Sequence, residues 1–233
     1  MKKFLIVLVS LIVILVAVDR VGVVVANVAL EGALRDRLHL DHKPKVRVHG
    51  IPFLTQIVGG KYSDIEVDAS GLDADKLHNL DANVRLRGVH VPLSDLGRWD
   101  FSTIPIDHVK ADVTVPYDEL ATAAGLSSME FKADGGELDF SGPLTYAGHT
   151  IDVTGKASPS ISGGALQINP QQATVNGSPV PPTYLALLNK SVSLTDLPFG
   201  IKVTSVKVTD KGLAGNGTID HVTIRDGELV PAG

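Results

Sequence analysis

The chain has 233 residues, 44% of them hydrophobic and 20% charged, with a net charge of −5 at neutral pH. This is ample for a core and leaves no basic stripe, which argues against nucleic acid, whose phosphates demand clustered lysine and arginine. The absence of cysteine excludes disulfides, thiol catalysis, thiolate metal sites and a lipobox together.

The length fits one large β-rich domain or two small ones. With aromatics at 5%, the interior must be built from Val, Leu, Ile and Ala. Met1-Lys2-Lys3 precedes an apolar run from Phe4 to Val18 broken only by Ser10, the n-region and h-region of an export signal. Cleavage wants small residues at −3 and −1 soon after the run. Leu15 to Arg20 stand there instead, and the nearest acceptable site, Val24-Val25-Ala26, lies beyond a charged pair. The run is short of the roughly 20 residues that span a bilayer comfortably, although the first three residues can snorkel. The expectation is an uncleaved signal anchor over residues 1–18, in the plasma membrane. The lysines stay cytoplasmic, and residues 19–233 form a single extracytoplasmic (periplasmic) domain. A cleaved signal, leaving a secreted protein, is the alternative.

From Asp19 to Leu40 the pattern predicts one continuous helix. Val21, Val24, Val25, Val28, Ala29, Leu30, Ala33, Leu34 and Leu38 form a wide apolar stripe opposite Glu31, Arg35, Asp36 and Arg37. His42-Lys43-Pro44 ends it. A helix this apolar needs a concave partner, and a curved sheet is the obvious one.

The stretch Val46–Val67, VRVHGIPFLTQIVGGKYSDIEV, then reads as strand, short helix, strand. The first strand stops at Gly50 and Pro52, and Gly59-Gly60 ends a helix over Phe53–Val58. Such a helix is too short to be stable alone and must lie against the strands it joins. Its cluster Phe53, Leu54, Ile57 and Val58 is either a core plug or the mouth of an apolar cavity.

Period-two alternation follows. Val84 and Leu86 mark a strand, and Val109, Ala111, Val113 and Val115 mark the cleanest one, stopped by Pro116. Tyr117–Ala124 reads as a short helix closed by Gly125. Met129, Phe131 and Ala133 face Leu138 and Phe140 across Gly135-Gly136, a hairpin signal. A second hairpin is expected around Ala147-Gly148-His149, with weaker strands at Ile161–Ile168 and Ala173–Val175. Pro181-Pro182 starts a helix, Thr183–Asn189, with Tyr184, Leu187 and Leu188 on its apolar face. Strands at Ile201–Val208, Leu213–Gly217 and His221–Ile224 complete the chain, and Asn176-Gly177 and Asn216-Gly217 read as turns. VRVHGIPFLTQIV and VRLRGVHVPLSDL echo each other as strand–short helix pieces, with Leu197-Pro198-Phe199-Gly200 a third trace.

Catalytic signatures are missing. The chain has no Gly-x-Ser-x-Gly elbow, and Gly155-Lys156 is followed by Ala157 rather than completing a P-loop. His39-Leu40-Asp41-His42 has metal-like spacing, yet it sits at a helix end where histidine favours the dipole. Ser94-Asp95 are ordinary capping residues. No nucleophile, base and orienter set emerges, so neither catalysis nor a metal or other cofactor is expected. Apolar surface is what remains. Val28, Leu34, Phe53, Leu54 and Ile57, then Leu93, Leu96, Trp99 and Phe101, then Tyr184, Leu187 and Leu188 are the candidate lipid contacts. The same residues fill a core if no gap is left between helix and sheet.

The segment Gly-x-Pro-Phe-Leu-Thr-Gln at Gly50–Gln56, followed by Gly-Gly-Lys-Tyr and an alternating strand, and the later RGVHVPLSDL at Arg87–Leu96 resemble the LmeA-like phospholipid-binding family of actinobacterial envelope proteins. Pro52, Phe53, Leu54, Thr55, Gln56, Tyr62, Pro92 and Leu93 carry the match, which with the N-terminal segment covers most of the chain. The resemblance implies an α+β, tubular lipid-binding-like fold: a long N-terminal amphipathic helix cradled by a strongly curved antiparallel β-sheet, plus short helices, with acyl chains held between them. It implies a phospholipid ligand, phosphoinositides among the candidates, a membrane partner and support of lipoglycan (lipomannan) elongation by an envelope glycosyltransferase. It supplies no catalytic residue. The chain departs from the family in the loop Gly97–Ile104 (GRWDFSTI), which is short and carries the only Trp. A ligand-free interaction ectodomain supporting such a glycosyltransferase is the alternative, and it needs no cavity.

Overall fold

The structure, a computed structural model, describes residues 2–38, 40–74, 77–98, 102–146, 148–181, 185, 189–194, 202–225 and 228–231. Among them the fold is α+β, with a long N-terminal helix and mostly antiparallel sheets, as the sequence leads one to expect. Two compact units are formed, one by Met1–Ala69, Asn83–Lys110 and Ile219–Gly233, the other by Ser70–Ala82 and Ala111–Thr218.

The first unit begins with α1, Lys2–Leu38, a single 37-residue helix. The apolar run and the helix expected from Asp19 onward are therefore one element, because no proline interrupts them. Strand β1 (Lys45–His49) leads through α2 (Phe53–Gly59) into β2 (Lys61–Ala74), and β3 (Leu77–His90) leads through α3 (Leu93–Arg98) into β4 (Thr103–Val115). The two echoing segments are thus the same strand–short helix–strand device. The third trace lies outside the described residues. Strand β1 is the edge of the strand order β1-β2-β3-β4. Strand β13 (Glu228–Pro231) pairs with Val222–Arg225 of β12 (Gly212–Arg225) in this unit, whereas β11 (Ser205–Thr209) pairs with the Gly212–Asn216 part of β12 that belongs to the second unit.

The second unit carries α4 (Tyr117–Ala123) and the sheet β10-β8-β7-β6-β5, with β9 paired to β8. Its strands are β5 (Glu130–Asp134), β6 (Glu137–Tyr146), β7 (His149–Ser162), β8 (Ala165–Val175), β9 (Ser178–Pro179) and β10 (Lys190–Ser193). Gly135 and Gly136 both take positive φ in the β5–β6 turn, as the hairpin signal requires. The core here is Leu120, Leu138 and Val153, with Phe131 against Phe140 at 6.5 Å between ring centroids. Tyr117 anchors α4 by donating its hydroxyl to the Thr209 carbonyl at 2.6 Å.

One strand assignment and one turn assignment change. Ile161–Ile168 is a hairpin turning at Gly163-Gly164, so it belongs to the ends of β7 and β8. Asn216-Gly217 lies inside β12, because Asn216 pairs in register with Ser205 and its Oδ1 accepts from the Ser205 hydroxyl at 2.9 Å. Asn176-Gly177 is the turn it was expected to be, both residues at positive φ between β8 and β9. The helix expected at Thr183–Asn189 falls largely outside the described residues.

Candidate lipid-contacting site

An edge strand presents unpaired N–H groups that must be covered. Here α1 covers them with polar side chains. The Asn27 Oδ1 accepts the Val48 N–H at 3.0 Å, and the Glu31 Oε1 accepts the Val46 N–H at 3.1 Å. Four residues on a helix rise about 6 Å, close to the advance of two residues on a strand, so this pairing is in step. About two turns before Asn27, Asp19 is only 2% exposed. Its Oδ1 accepts the Leu54 N–H at 2.8 Å, and the Arg20 guanidinium donates to its other oxygen. Helix α2 starts on Pro52, which offers no side-chain cap. A carboxylate from another helix satisfies that orphan donor instead and suits the positive end of the α2 dipole.

The covered side of α1 is thus Asp19, Gly22, Val23, Ala26, Asn27, Glu31 and Leu34, spaced three and four residues apart and all buried or half-buried. These residues are small or polar, apart from Val23 and Leu34. The sequence pattern points the other way, to the valine stripe as the covered face. In the structure Val21, Val24, Val25 and Val28 are each 56% exposed or more. Their spacing i, i+3, i+4, i+7 places them on one outward strip.

Phe53 closes the joint between α1 and α2. It is 3% exposed, tilts against Tyr62 at 6.3 Å, and faces Gly22, where an added Cβ would stand 3.5 Å from its ring. Gln56 ties α2 to both strands, donating to the His49 carbonyl at 3.1 Å and accepting the Ser63 N–H at 2.8 Å. The Thr55 hydroxyl donates back to the Pro52 carbonyl at 2.8 Å. Gly60 ends α2 in the left-handed region and accepts the Val91 N–H at 2.9 Å, which brings α2 beside Pro92 and α3. Phe53, Thr55, Gln56 and Tyr62 therefore build the local scaffold. Ile51, Val58 and Leu93 around it stand 78%, 75% and 51% exposed.

The candidate contacts sort accordingly. Val28 is on the outward strip of α1, and Leu34 is half-buried on the opposite side. Phe53 is core, Leu54 and Ile57 are half-buried on α2, Leu96 is half-buried on α3, and Leu93 is exposed. All belong to the first unit. Trp99, Phe101, Tyr184, Leu187 and Leu188 lie outside the described residues.

A charged lattice across β1, β2 and β3 was not read from the sequence, although its signal was present in the polar positions of the alternating strands. Glu66 accepts from Asn83 at 2.9 Å, from Arg85 at 3.2 Å and from Arg47 at 3.0 Å, with His49 at 3.2 Å. The Asn83 hydrogen bond first, then Arg47, hold the Glu66 carboxyl at a pKa of about 2, and His49 and Arg85 add to the effect. Arg47 also pairs with Asp68. In the second unit an open groove of about 670 Å³ on β5–β8 is lined by Lys132, Asp139, Thr154, Lys156 and Gln172, with Phe140 and Leu185. Its lysines are held by carboxylates, Lys132 by Glu130 at 2.9 Å and Lys156 by Asp134. Among the described residues, none of the candidate lipid contacts lines it.

A family model described as LmeA-like phospholipid-binding matches residues 17–218 of the 233. No curated protein and no solved structure matches the chain. The matched span opens at Ala17, two residues before the Asp19 clasp, and takes in α2, α3, α4 and every strand up to the first half of β12. The chain belongs to the LmeA-like phospholipid-binding family.

Proposed function

We propose that this protein is a membrane-anchored, extracytoplasmic phospholipid-binding protein whose outward strip on α1 receives acyl chains. The observation that carries this reading is the inverted helix. Its polar and small residues meet its own sheet, while Val21, Val24, Val25 and Val28 continue the apolar surface of the N-terminal run away from it. Fully burying one valine contributes roughly 1.5 kcal/mol, so covering four mostly exposed ones contributes on the order of 4 kcal/mol. That suits a lipid that is held and released. The helix is about 55 Å long, against roughly 30 Å of hydrocarbon, so one element serves as both anchor and seat. The role is binding and presentation, without a catalytic step. Presentation of a phospholipid, phosphoinositide included, to an envelope glycosyltransferase making lipoglycan extends the same reading.

The test is native mass spectrometry of the full chain purified in mild detergent from a membrane-containing host, alongside a Val24→Asp, Val28→Asp double variant. The reading predicts a stoichiometric phospholipid on the native chain that the variant loses while keeping its fold. A lipid-free native chain, or equal retention by both, contradicts it.

A further inference from the structure

The geometry points to a second membrane contact: the α2–α3 end of the first unit, bearing Ile51, Val58 and Leu93, docks into the headgroup layer of the bilayer that α1 crosses. This rests on the reading of α1 as an anchor. From Phe4 to Val18 the apolar run is too short for the roughly 20 residues that a span requires. A short span is accommodated by local thinning of the bilayer and by snorkelling flanks, both of which draw the residues that follow Val18 into the headgroup layer, and further settling covers more apolar surface. The next apolar residues along α1 are Val21, Val24 and Val25, all outward and exposed. The charge that would resist sinking, Asp19, is already buried, receiving the Leu54 N–H at 2.8 Å and the Arg20 guanidinium. The clasp that neutralises Asp19 is the same one that fixes α2 to α1 at this height. Arg20 also reaches the Gly50 carbonyl at 3.4 Å, and Phe53 lies on Gly22. As α1 settles, α2 is carried to the interface with it.

What α2 then presents is suited to that layer. Ile51 precedes α2, Val58 lies in its last turn, and Leu93 opens α3, which is joined to α2 through the Gly60–Val91 hydrogen bond of 2.9 Å. A short apolar helix pair lying in the interface gains from burying such side chains and from cations at the headgroup level. Arg20, Lys61 and Arg98 supply them, with side chains 42%, 56% and 69% exposed beside their carboxylate partners. The bilayer surface is the occupant because α1 delivers this tip to it.

The chain has no cysteine, so single labels are clean. The full chain is reconstituted in nanodiscs of phosphatidylcholine and phosphatidylglycerol. An environment-sensitive fluorophore is placed in turn at Ile12→Cys, Val58→Cys, Leu93→Cys and Lys43→Cys, and nitroxide lipids read its depth. Lys43 lies past the C-terminal end of α1, about 30 Å along the helix from Asp19. Docking predicts deep quenching at position 12, blue-shifted emission with shallow quenching at 58 and 93, and solvent-like emission at 43. Quenching at 12 with solvent-like emission at 58 and 93 overturns the docking and leaves the anchor standing. Solvent-like emission at 12 overturns the anchor and the docking with it.

Discussion

Asp19 of α1 accepts the backbone N–H of Leu54 at 2.8 Å and is buried in doing so. A carboxylate in a long apolar helix thereby becomes the N-terminal cap of another helix thirty-five positions later in the chain. Removing it leaves a buried donor without an acceptor. Asp19→Ala is expected to lower the thermal midpoint and speed hydrogen exchange at the Leu54 amide, while Asp19→Asn, which keeps an acceptor, does so less. Val25→Ala on the outward strip serves as the reference and leaves that amide protected.

The joint between α1 and α2 predicts a size-graded series at Gly22. A Cβ there meets the Phe53 ring at 3.5 Å, an ordinary contact. Gly22→Ala therefore gains about 1 kcal/mol from helix propensity. Gly22→Leu forces the ring aside and costs roughly 1–3 kcal/mol, and Phe53→Ala costs about 3–5 kcal/mol. Denaturant unfolding in detergent micelles measures all three.

Gly60 tests the link between the two short helices. Its φ of +64° disfavours any side chain, and a Cβ would stand 2.9 Å from the Pro92 Cα, a backbone atom that cannot swing away. Gly60→Ala is expected to cost at least about 1–2 kcal/mol and to speed exchange at the Val91 amide. A wild-type exchange rate there would mean that α2 and α3 are not coupled through this turn.

These joints show what was readable beforehand. The strand–helix–strand run from Val46, the short helices after Pro52 and Pro116 and the Gly135-Gly136 hairpin are local patterns, fixed by apolar spacing and punctuation. The orientation of α1 was not legible, because it depends on the distant, unpaired N–H groups of Val46 and Val48. A valine stripe looks like a core face when the partner is assumed to be apolar. Here the partner is a strand edge, and Asn27 and Glu31 win the contact. Asn216-Gly217 misled for a related reason: a turn dipeptide is overridden when its asparagine is paired across a ladder, as Asn216 is with Ser205.

Acid sensitivity should reside in the lattice on β1–β3. The Glu66 carboxyl sits at a pKa of about 2 in the folded chain, below its ordinary 4.5. A depressed carboxylate stabilises the fold above its unfolded pKa and loses that contribution as pH falls. Stability is therefore expected to decline between pH 4.5 and about 2. Glu66→Gln should flatten that decline while lowering stability at neutral pH. A variant with the same acid limb as the native chain would place the sensitivity elsewhere.

The most direct measurement uses a phospholipid with a photoactivatable group in its acyl chain, incorporated into nanodiscs holding the full chain, with adducts mapped by peptide mass spectrometry. Acyl chains received on α1 predict adducts at Val21–Val28 as well as in the N-terminal run, and their loss from Val21–Val28 in the Val24→Asp, Val28→Asp variant. Adducts confined to residues 4–18 would contradict the account.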